Sequence, residues 1–211
     1  MTENSMTKRP RGRPGLPDDT REQVLLAAAE LLAESGLESM KARAIADRAG
    51  LSVGSIYKLF GEIDDLVREV NLQTYRMFAE HHRTALELVS TSVTSPFDRL
   101  MVLARAYVDF VINNELRWMA LLAFNARQTR PGSKDERSIR AELYAIVETV
   151  MSEIPGFTSE MASKKMTRAL WAAVHGIVIF TLPNSTSDDP VGETLEQIEM
   201  IVGAVVRDAS Q

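Results

Sequence analysis

Two short helical segments separated by a tight link constrain this chain more than any other feature. The first runs from about Lys41 to Ala49 and the second from about Ser52 to Phe60. Gly50 permits the left-handed backbone that a tight turn needs, and Ser52 is placed to accept hydrogen bonds from the free N–H groups that start the second helix. The pattern predicts a helix-turn-helix, a unit whose second helix can enter the major groove of DNA.

The remainder of the chain shows helical periodicity. Ala, Leu, Glu, Arg and Met recur in long stretches without Pro or Gly, which favours helices over strands. A helix is predicted from Asp18 or Asp19 to Gly36, and beyond Gly61 caps and Pro or Gly breaks delimit six more. These run over residues 62–88, from 96 to about 113, around 118–124, from 136 to about 154, over 159–182 and over 190–208. We therefore predict an all-α fold of about nine helices.

Positive charge is concentrated at the N-terminus, although the whole chain carries a net charge of −5. Within the first fifteen residues, only Glu3 opposes the basic side chains of Lys8, Arg9, Arg11 and Arg13. A phosphate backbone could meet this positive end of the molecule. Prolines and glycines among the same residues predict a flexible basic arm over residues 1–17. A solvated tail with no partner is the alternative.

No metal site, cofactor or membrane segment is predicted. The chain has no cysteine, which excludes disulfides and thiolate metal sites and is compatible with a reducing compartment. Its N-terminus is polar rather than apolar, and the longest apolar run, residues 169–182, is too short for a bilayer and contains His175. We expect a cytoplasmic protein.

The run AIADRAGLSVGSIYKLF, from Ala44 to Phe60, resembles the signature I-A-x-x-A-G-[VL]-S-x-G-[ST]-[LI]-Y-x-x-F of the tetracycline-repressor (TetR) family. The run from Leu170 to Ile177 resembles the W-x-x-x-H-G pattern of one C-terminal subfamily. The resemblance implies a helix-turn-helix DNA-binding domain over residues 18–61 and a helical C-terminal domain over residues 62–211, which dimerises and holds a ligand.

Carried over by position, the resemblance places DNA contacts on the two short helices and the turn. The third helix would face the bases and their flanking phosphates, and Tyr57 would reach a phosphate through its hydroxyl. Core packing of the Tyr57 ring is the alternative. The residues assigned to DNA in this way are Arg43, Ser52, Val53, Gly54, Ser55, Tyr57 and Lys58, and Lys41 is added because it departs from the family pattern.

Two positions depart from the family pattern. Lys41 stands where the family usually has a Ser or Thr that caps the second helix, and Ile63 stands where it usually has a Lys that contacts phosphate. The lost cap costs about 1 kcal/mol unless Ser39 replaces it. We hypothesise that Lys41 takes over the phosphate contact that Ile63 cannot make.

The third helix is poor in side chains that read bases. It lacks Arg, Asn and Gln, which form the bidentate contacts to guanine and adenine. The sequence Arg11-Gly12-Arg13-Pro14 resembles AT-hook peptides, whose arginines lie in a narrow A·T minor groove. Arg11 and Arg13 are therefore predicted to contact DNA beside the major-groove contacts.

A ligand pocket in the C-terminal domain would be lined by aromatic and Met side chains at helical spacing. Such a pocket suits a small, largely apolar molecule. The candidates are Tyr107, Phe110, Trp118, Met119, Phe124, Trp171 and His175. For each of them, an ordinary position in the core is the alternative. A lone histidine on an apolar helix, such as His175, is more often a hydrogen-bonded core residue than a ligand-binding one. His81 and His82 are predicted to be solvated.

The last two helices, residues 159–182 and 190–208, are apolar on more than one face. Such helices favour pairing with the same helices of a second copy in a four-helix bundle. A dimer of this kind would read the two half-sites of a palindrome.

The sequence thus predicts a dimeric DNA-binding regulator, a repressor released from a palindromic operator by a small molecule. A ligand-independent DNA-organising protein with the same head and a filled body is the alternative. An enzyme is disfavoured, because no catalytic Ser-His-acid order, phosphate-binding glycine loop or metal-ligand spacing appears.

Overall fold

The computed structural model describes residues 17, 19–89, 95–129 and 131–209. As predicted, this part of the chain is all-α, with nine α-helices and no strand. The helices are α1 (Thr20–Ser35), α2 (Ala42–Ala49), α3 (Val53–Phe60), α4 (Ile63–Val89), α5 (Pro96–Asn113), α6 (Glu115–Arg127), α7 (Lys134–Met151), α8 (Glu160–Asn184) and α9 (Pro190–Asp208), with short 3-10 helices at Leu37–Ser39 and Pro155–Phe157. Arg11, Arg13 and the rest of the predicted arm up to residue 16 lie outside the described residues.

Serine side chains cap several helices. Ser95 accepts a hydrogen bond from the N–H of Asp98 at 3.1 Å and starts α5. Ser133 accepts from the N–H of Glu136 at 3.0 Å, and the Glu136 carboxylate accepts in return from the N–H of Ser133 at 2.6 Å. This capping box satisfies two free donors at once. It starts α7 at Lys134, two residues before the predicted start.

The helix α8 is longer than the predicted 159–182. It continues to Asn184 with Pro183 inside its last turn. Among the described helices, α8 alone is long and apolar enough, by length and composition, to span a membrane, and 22% of its most apolar window is buried within the chain. The window that meets this test extends beyond the apolar run of residues 169–182, which alone is shorter than a bilayer span. Many residues of α8 are half-buried or exposed in the single chain.

The N-terminal helices enclose a hydrophobic core that we call the head cluster. It draws on α1 to α4 and on α6, so it continues beyond the predicted boundary at residue 61. Its fully or nearly fully buried members are Val24, Ala27, Ala28, Ala29, Leu32, Met40, Ile45, Ala46, Ala49, Ile56, Phe60, Leu66, Val67, Val70, Ala120 and Phe124.

The C-terminal helices enclose a second core, the body cluster, built on a group of packed rings. Phe78 of α4 lies at its centre, with its ring centroid 5.0 Å from those of Tyr107 and Phe110 and 4.7 Å from that of Trp118. Such edge-to-face and tilted ring pairs stabilise the fold beyond what the burial of their apolar surface contributes. The long helix α4 contributes to both clusters and joins the head to the body.

His82 belongs to this core, and the prediction that it is solvated is wrong. Its side chain is 3% exposed and packs 4.2 Å from the Phe78 ring. Nδ1 of His82 donates to the Phe78 carbonyl at 2.9 Å, since a carbonyl can only accept. Burial lowers the pKa of His82 from 6.5 to about 4. His81 is exposed, as predicted.

The buried His82 predicts a loss of stability in acid. The unfolded chain binds a proton at His82 below about pH 6.5, whereas the folded chain does so only near pH 4. The free energy of unfolding should therefore be fully retained above pH 6.5 and fall by about 2 kcal/mol at pH 5 through this group. Urea unfolding at pH 7.5 and pH 5 measures the difference.

The matched control is the neighbouring exposed histidine. His81→Gln should keep the pH dependence, whereas His82→Gln should reduce it by most of that amount. An equal slope in the two variants would contradict the assignment.

Candidate nucleic-acid interface and internal cavity

The turn between α2 and α3 has the geometry that the sequence predicts. Gly50 adopts φ 66° and ψ 30°, the left-handed conformation that glycine takes without steric cost. The N–H of Leu51 donates to the Ala46 carbonyl at 2.9 Å and so closes the end of α2. From α1, Nε2 of Gln23 donates to the Ala49 carbonyl at 3.0 Å. The turn is therefore fixed both by its own backbone and by the first helix.

Ser52 caps α3 as predicted. Its hydroxyl accepts from the N–H of Ser55 at 3.2 Å, and the two hydroxyl oxygens lie 2.9 Å apart. Ile56 is fully buried and Phe60 is 7% exposed, so they hold the inner side of α3 on the head cluster. The cap and these apolar anchors fix which side of α3 faces outward.

The outward side of α3 consists of small and polar residues. Val53 is 39% exposed and Tyr57 is 50% exposed, and Gly54 and Lys58 are also exposed. Val53 and Tyr57 are four residues apart, as are Gly54 and Lys58. The two members of each pair therefore lie on the same side of the helix. Because half of its surface is open, Tyr57 is not a core residue. Ser55 is partly buried at the edge of this surface.

Lys41 lies at the N-cap of α2, where its side chain makes no capping hydrogen bond. Ser39 does not replace the cap, because its hydroxyl donates to the carbonyls of Leu31 at 3.0 Å and Gly36 at 2.6 Å instead. The α2 N-terminus thus keeps an exposed cation and no side-chain cap.

Arg43 projects from α2 into solvent. Its side chain is 89% exposed and reaches Asp47 only at 3.9 Å, a contact that contributes little at such exposure. Ile63 is partly buried and packs against the head cluster. The departure at Ile63 therefore has a structural role, since an apolar side chain there fills the junction of α3 and α4.

Arginines from α1 and α2 brace the head. Arg21 of α1 donates to Glu69 of α4 at 2.6 Å, and its guanidinium lies 4.5 Å from the centre of the Phe60 ring at the end of α3. Arg48 of α2 pairs with Glu34 of α1 at 2.7 Å. These contacts connect the helix-turn-helix to α4, which continues into the body.

The body contains a cavity of three adjoining spaces. A central chamber of about 280 Å³ lies among α4, α6, α7 and α8, and an outer chamber of about 160 Å³ shares Tyr75, Asn125 and Arg140 with it. An inner pocket of about 40 Å³ shares Trp171 with the central chamber. The central chamber is lined by Tyr75, Trp118, Leu121, Leu122, Asn125, Arg140, Leu143, Tyr144, Trp171, Ala172 and His175.

The structure brings four of the seven predicted pocket residues to this cavity. Trp118, Trp171 and His175 line the central chamber, and Tyr107 lines the inner pocket beside His82. The other three line none of the three spaces. Phe110 is packed in the body cluster, Phe124 is buried in the head cluster, and Met119 is 46% exposed on the outside of α6.

His175 lines the central chamber and is hydrogen-bonded to Tyr107, which lines the inner pocket. Burial raises the pKa of the Tyr107 phenol and lowers the pKa of the His175 imidazole. Both groups are therefore neutral, and either the Tyr107 phenol or the Nδ1–H tautomer of His175 can be the donor of this bond. His175 has both the hydrogen-bonded core role and a position on the chamber wall.

The sequence reasoning missed eight of the eleven residues of the central chamber, and four of these carry polar groups, namely Tyr75, Asn125, Arg140 and Tyr144. Tyr75 and Asn125 are linked by a hydrogen bond of 2.9 Å from the amide to the phenol oxygen. Arg140 and Tyr144 are four residues apart on α7, so they share one side of that helix. Helical spacing could have found the last two as a pair, but nothing in the sequence marks which side of α7 faces α6.

The helix α6 separates the chamber from the head. Trp118, Leu121 and Asn125 line the chamber on one side, whereas Ala120 and Phe124 are buried in the head cluster on the other. Its last residues also bond to the start of α4, where Nε2 of Gln128 donates to Asp64 at 3.2 Å. Movement of α6 would therefore change the packing of Ala120 and Phe124 in the head cluster.

Two family models match the chain. The first, described as bacterial regulatory proteins of the tetR family, covers residues 24–70, and the second, a tetracyclin repressor-like C-terminal domain, covers residues 100–204. The first includes the turn and the outward side of α3. The second includes the chamber residues of α6, α7 and α8.

Similar proteins agree with these matches. The HTH-type transcriptional repressor KstR2 of Mycolicibacterium smegmatis is 32% identical over 87 residues. That stretch covers 41% of this chain and 40% of the relative, so the chain spans about two fifths of that relative's length.

Solved structures share the fold. A Rhodococcus sp. RHA1 protein of unknown function has a TM-score of 0.71 at 17% identity, covering 97% of this chain and 100% of its own. The Bacillus subtilis regulator FadR, solved with stearoyl-CoA, has a TM-score of 0.64 at 16% identity, covering 86% and 97%.

The Ser52 cap predicts the stability of the head. Ser52→Ala should lower the free energy of unfolding by about 1 kcal/mol, because the N–H of Ser55 loses its side-chain acceptor and keeps only the Ser52 carbonyl at 2.9 Å. Ser52→Asn, which keeps a side-chain acceptor, should stay close to the wild type. Urea unfolding measures both variants, and equal destabilisation by Ala and Asn would contradict a capping role.

Proposed function

Because this chain belongs to the TetR family of bacterial regulatory proteins, we propose that it is a homodimeric repressor whose release from a palindromic operator is controlled by a small molecule. Members of the family are transcriptional regulators rather than enzymes, and we extend that to this chain. The observation that carries the proposal is the fixed turn at Gly50, which presents the exposed side of α3. Such a protein acts where the DNA is, in the cytoplasm.

The proposed DNA contacts are of two kinds: contacts to base edges, which recognise sequence, and contacts to phosphates, which position the protein on the duplex. The outward residues Val53, Gly54 and Lys58 form a low surface that can approach base edges closely, with Ser55 at its rim. Tyr57 offers its hydroxyl to a phosphate. Beside α3, the exposed cations Lys41 and Arg43 have no strong partner among the described residues and are free to contact the backbone.

The few base-reading side chains on α3 suggest that specificity is shared. Arg11 and Arg13 are proposed to contact the minor groove beside each half-site, although they lie outside the described residues. The distance between the two heads of a dimer supplies the remaining specificity, because it sets the spacing of the two half-sites in the operator.

The uncovered side of α8 and α9 supports dimerisation through these two helices. Phe180 is 73% exposed and Met200 is 72% exposed, while Ile201 is 39% exposed. On α8, Ala172 and Gly176 are exposed at a spacing of four residues, which allows close approach of a second helix. A second copy would cover this apolar surface as a four-helix bundle.

The chamber supports an inducible repressor over a DNA-organising protein with a filled body. A central space of about 280 Å³ among aromatic side chains is the expected form of a small-molecule site. A ligand that prefers one position of α6 would alter the head cluster through Phe124 and α4. The stearoyl-CoA complex of FadR gives a precedent for a ligand in a protein of this fold.

Selection of bound sequences from a random DNA pool tests the proposal. A palindromic consensus bound by two chains supports it. Enrichment without any palindrome would favour the DNA-organising alternative, and the selected operator then serves in the assays below.

The electrostatic role of Lys41 predicts a change in salt dependence. Lys41→Ala should weaken operator binding on all sequences and flatten the slope of log K against log salt by about one unit, because one phosphate contact is lost. Fluorescence anisotropy over a series of KCl concentrations measures the slope. Arg105→Ala, at an exposed position of α5, is the control for net charge, and an unchanged slope in Lys41→Ala would exclude the contact.

Gly176 provides a test of the dimer surface. A Cβ at Gly176 meets no atom within 4 Å in the single chain, and replacing a helix-interior glycine favours the helix. Gly176→Leu should therefore keep the fold while raising the dimer dissociation constant at least about tenfold, because the new side chain separates the two α8 helices. Sedimentation velocity over a dilution series measures it.

The control for added bulk is Ala141→Leu on the exposed side of α7. It should leave the dimer unchanged. An unaltered dimer in Gly176→Leu would place the interface elsewhere.

A further inference from the structure

Among the described residues, the walls of the central chamber offer hydrogen-bond donors and one cation, with no acidic side chain. We infer that the chamber binds an organic anion, a carboxylate on a flat or extended apolar body, with Arg140 as the partner of the carboxylate. This inference rests on the proposed function, in which the chamber is the ligand site, and it names the chemical class of that ligand.

The apolar part of such a ligand fits the side of the chamber away from Arg140. Trp118 and Trp171 contribute ring surfaces, and the Tyr144 ring packs at 72° to the Trp171 ring with centroids 5.5 Å apart. Leu121 and Leu143 complete this apolar wall. Flat rings favour a planar or slender body over a bulky branched one.

Arg140 is an exposed cation on the chamber wall, without a carboxylate partner among the described residues. Glu136, one turn before it on α7, is buried, accepts from the N–H of Ser133 and lies 4.0 Å from Arg68 instead. The carboxylate nearest in sequence is thus committed elsewhere. A guanidinium that lines both chambers can bond to a carboxylate through two parallel N–H groups.

Trp118 supplies an independent observation. It is 3% exposed and lines the central chamber, and its Nε1 lies close to the Tyr107 phenol without forming a hydrogen bond of good geometry. A buried N–H without an acceptor is costly, and a ligand oxygen would relieve that cost. His175 lines the same chamber, and its Nε2 is the ring nitrogen that the bond to Tyr107 does not use.

The outer chamber reinforces the sign of the charge. Arg68, Arg137 and Arg140 line it together with a single acid, Glu136, which is already paired. A cation entering through this chamber would be repelled, whereas an anion would be attracted. The polar end of the ligand therefore belongs at the junction of the two chambers, where Arg140 lies.

Pairs of probes that differ in charge but not in shape test the inference on the full-length protein without DNA. We would titrate 2-naphthoate against 2-naphthamide and octanoate against octanamide by calorimetry. The octanoate pair can also be followed by tryptophan fluorescence, because both tryptophans of the chain, Trp118 and Trp171, line the chamber.

At least one carboxylate should bind about tenfold or more tightly than its amide, and Arg140→Gln should remove that preference while leaving amide binding unchanged. Arg105→Gln, which removes the same charge from an exposed site on α5, should retain it. Binding of amide and carboxylate alike, no loss in Arg140→Gln, or no binding of either carboxylate would each overturn the inference.

Operator binding separates this inference from the proposed function. Arg140→Gln should bind the selected operator as the wild type does, because Arg140 lies outside the head. If no operator is found, the regulatory role fails whatever the probes do. If the operator is bound but the carboxylates are not, only the anion specificity fails.

Discussion

The burial of Phe124 holds the two halves of this molecule together. Phe124 is fully enclosed in the head cluster, although it belongs to α6 of the C-terminal body. Three short helices alone enclose few apolar side chains, so the head needs surface from α4 and α6 to complete its core. The turn at Gly50 and the exposed side of α3 keep their positions because α4 and α6 cover the buried side of α1 to α3. Head and body are thus one cooperative unit at this contact.

Local features of the fold were predictable because they depend on neighbours in sequence. The glycine turn, the Ser52 cap and the α9 bounds follow from backbone rules that act within four or five residues. His82 could not be placed in this way. Its burial depends on Phe78 one turn away and on Tyr107 from another helix, and periodicity does not show which side of a long helix such as α4 is covered at each level.

The same limit applies to the chamber. Aromatic residues at helical spacing indicate a core or a pocket, and both predictions are met within α6, where Trp118 faces the chamber and Phe124 faces the head cluster. Successive residues on a helix point about 100° apart, so Met119, next to Trp118, reaches neither and is 46% exposed. Arg140 was missed for a different reason: it is an exposed arginine on an amphipathic helix, and the packing of α7 against α4 and α8 places it on the chamber wall.

The outward side of α3 has a further consequence for how such a protein can change over generations. Gly54 and Lys58 contribute nothing to the head cluster, which is anchored from the other side of the helix by Ile56 and Phe60. Mutations at these exposed positions are therefore close to neutral for folding, so under the proposed function a lineage can acquire a new operator without first acquiring compensating stability. Mutations at Ala120 and Phe124 of α6 have no such freedom, since both residues are buried in the shared core. Target choice should diverge quickly among descendants while the scaffold stays recognisable.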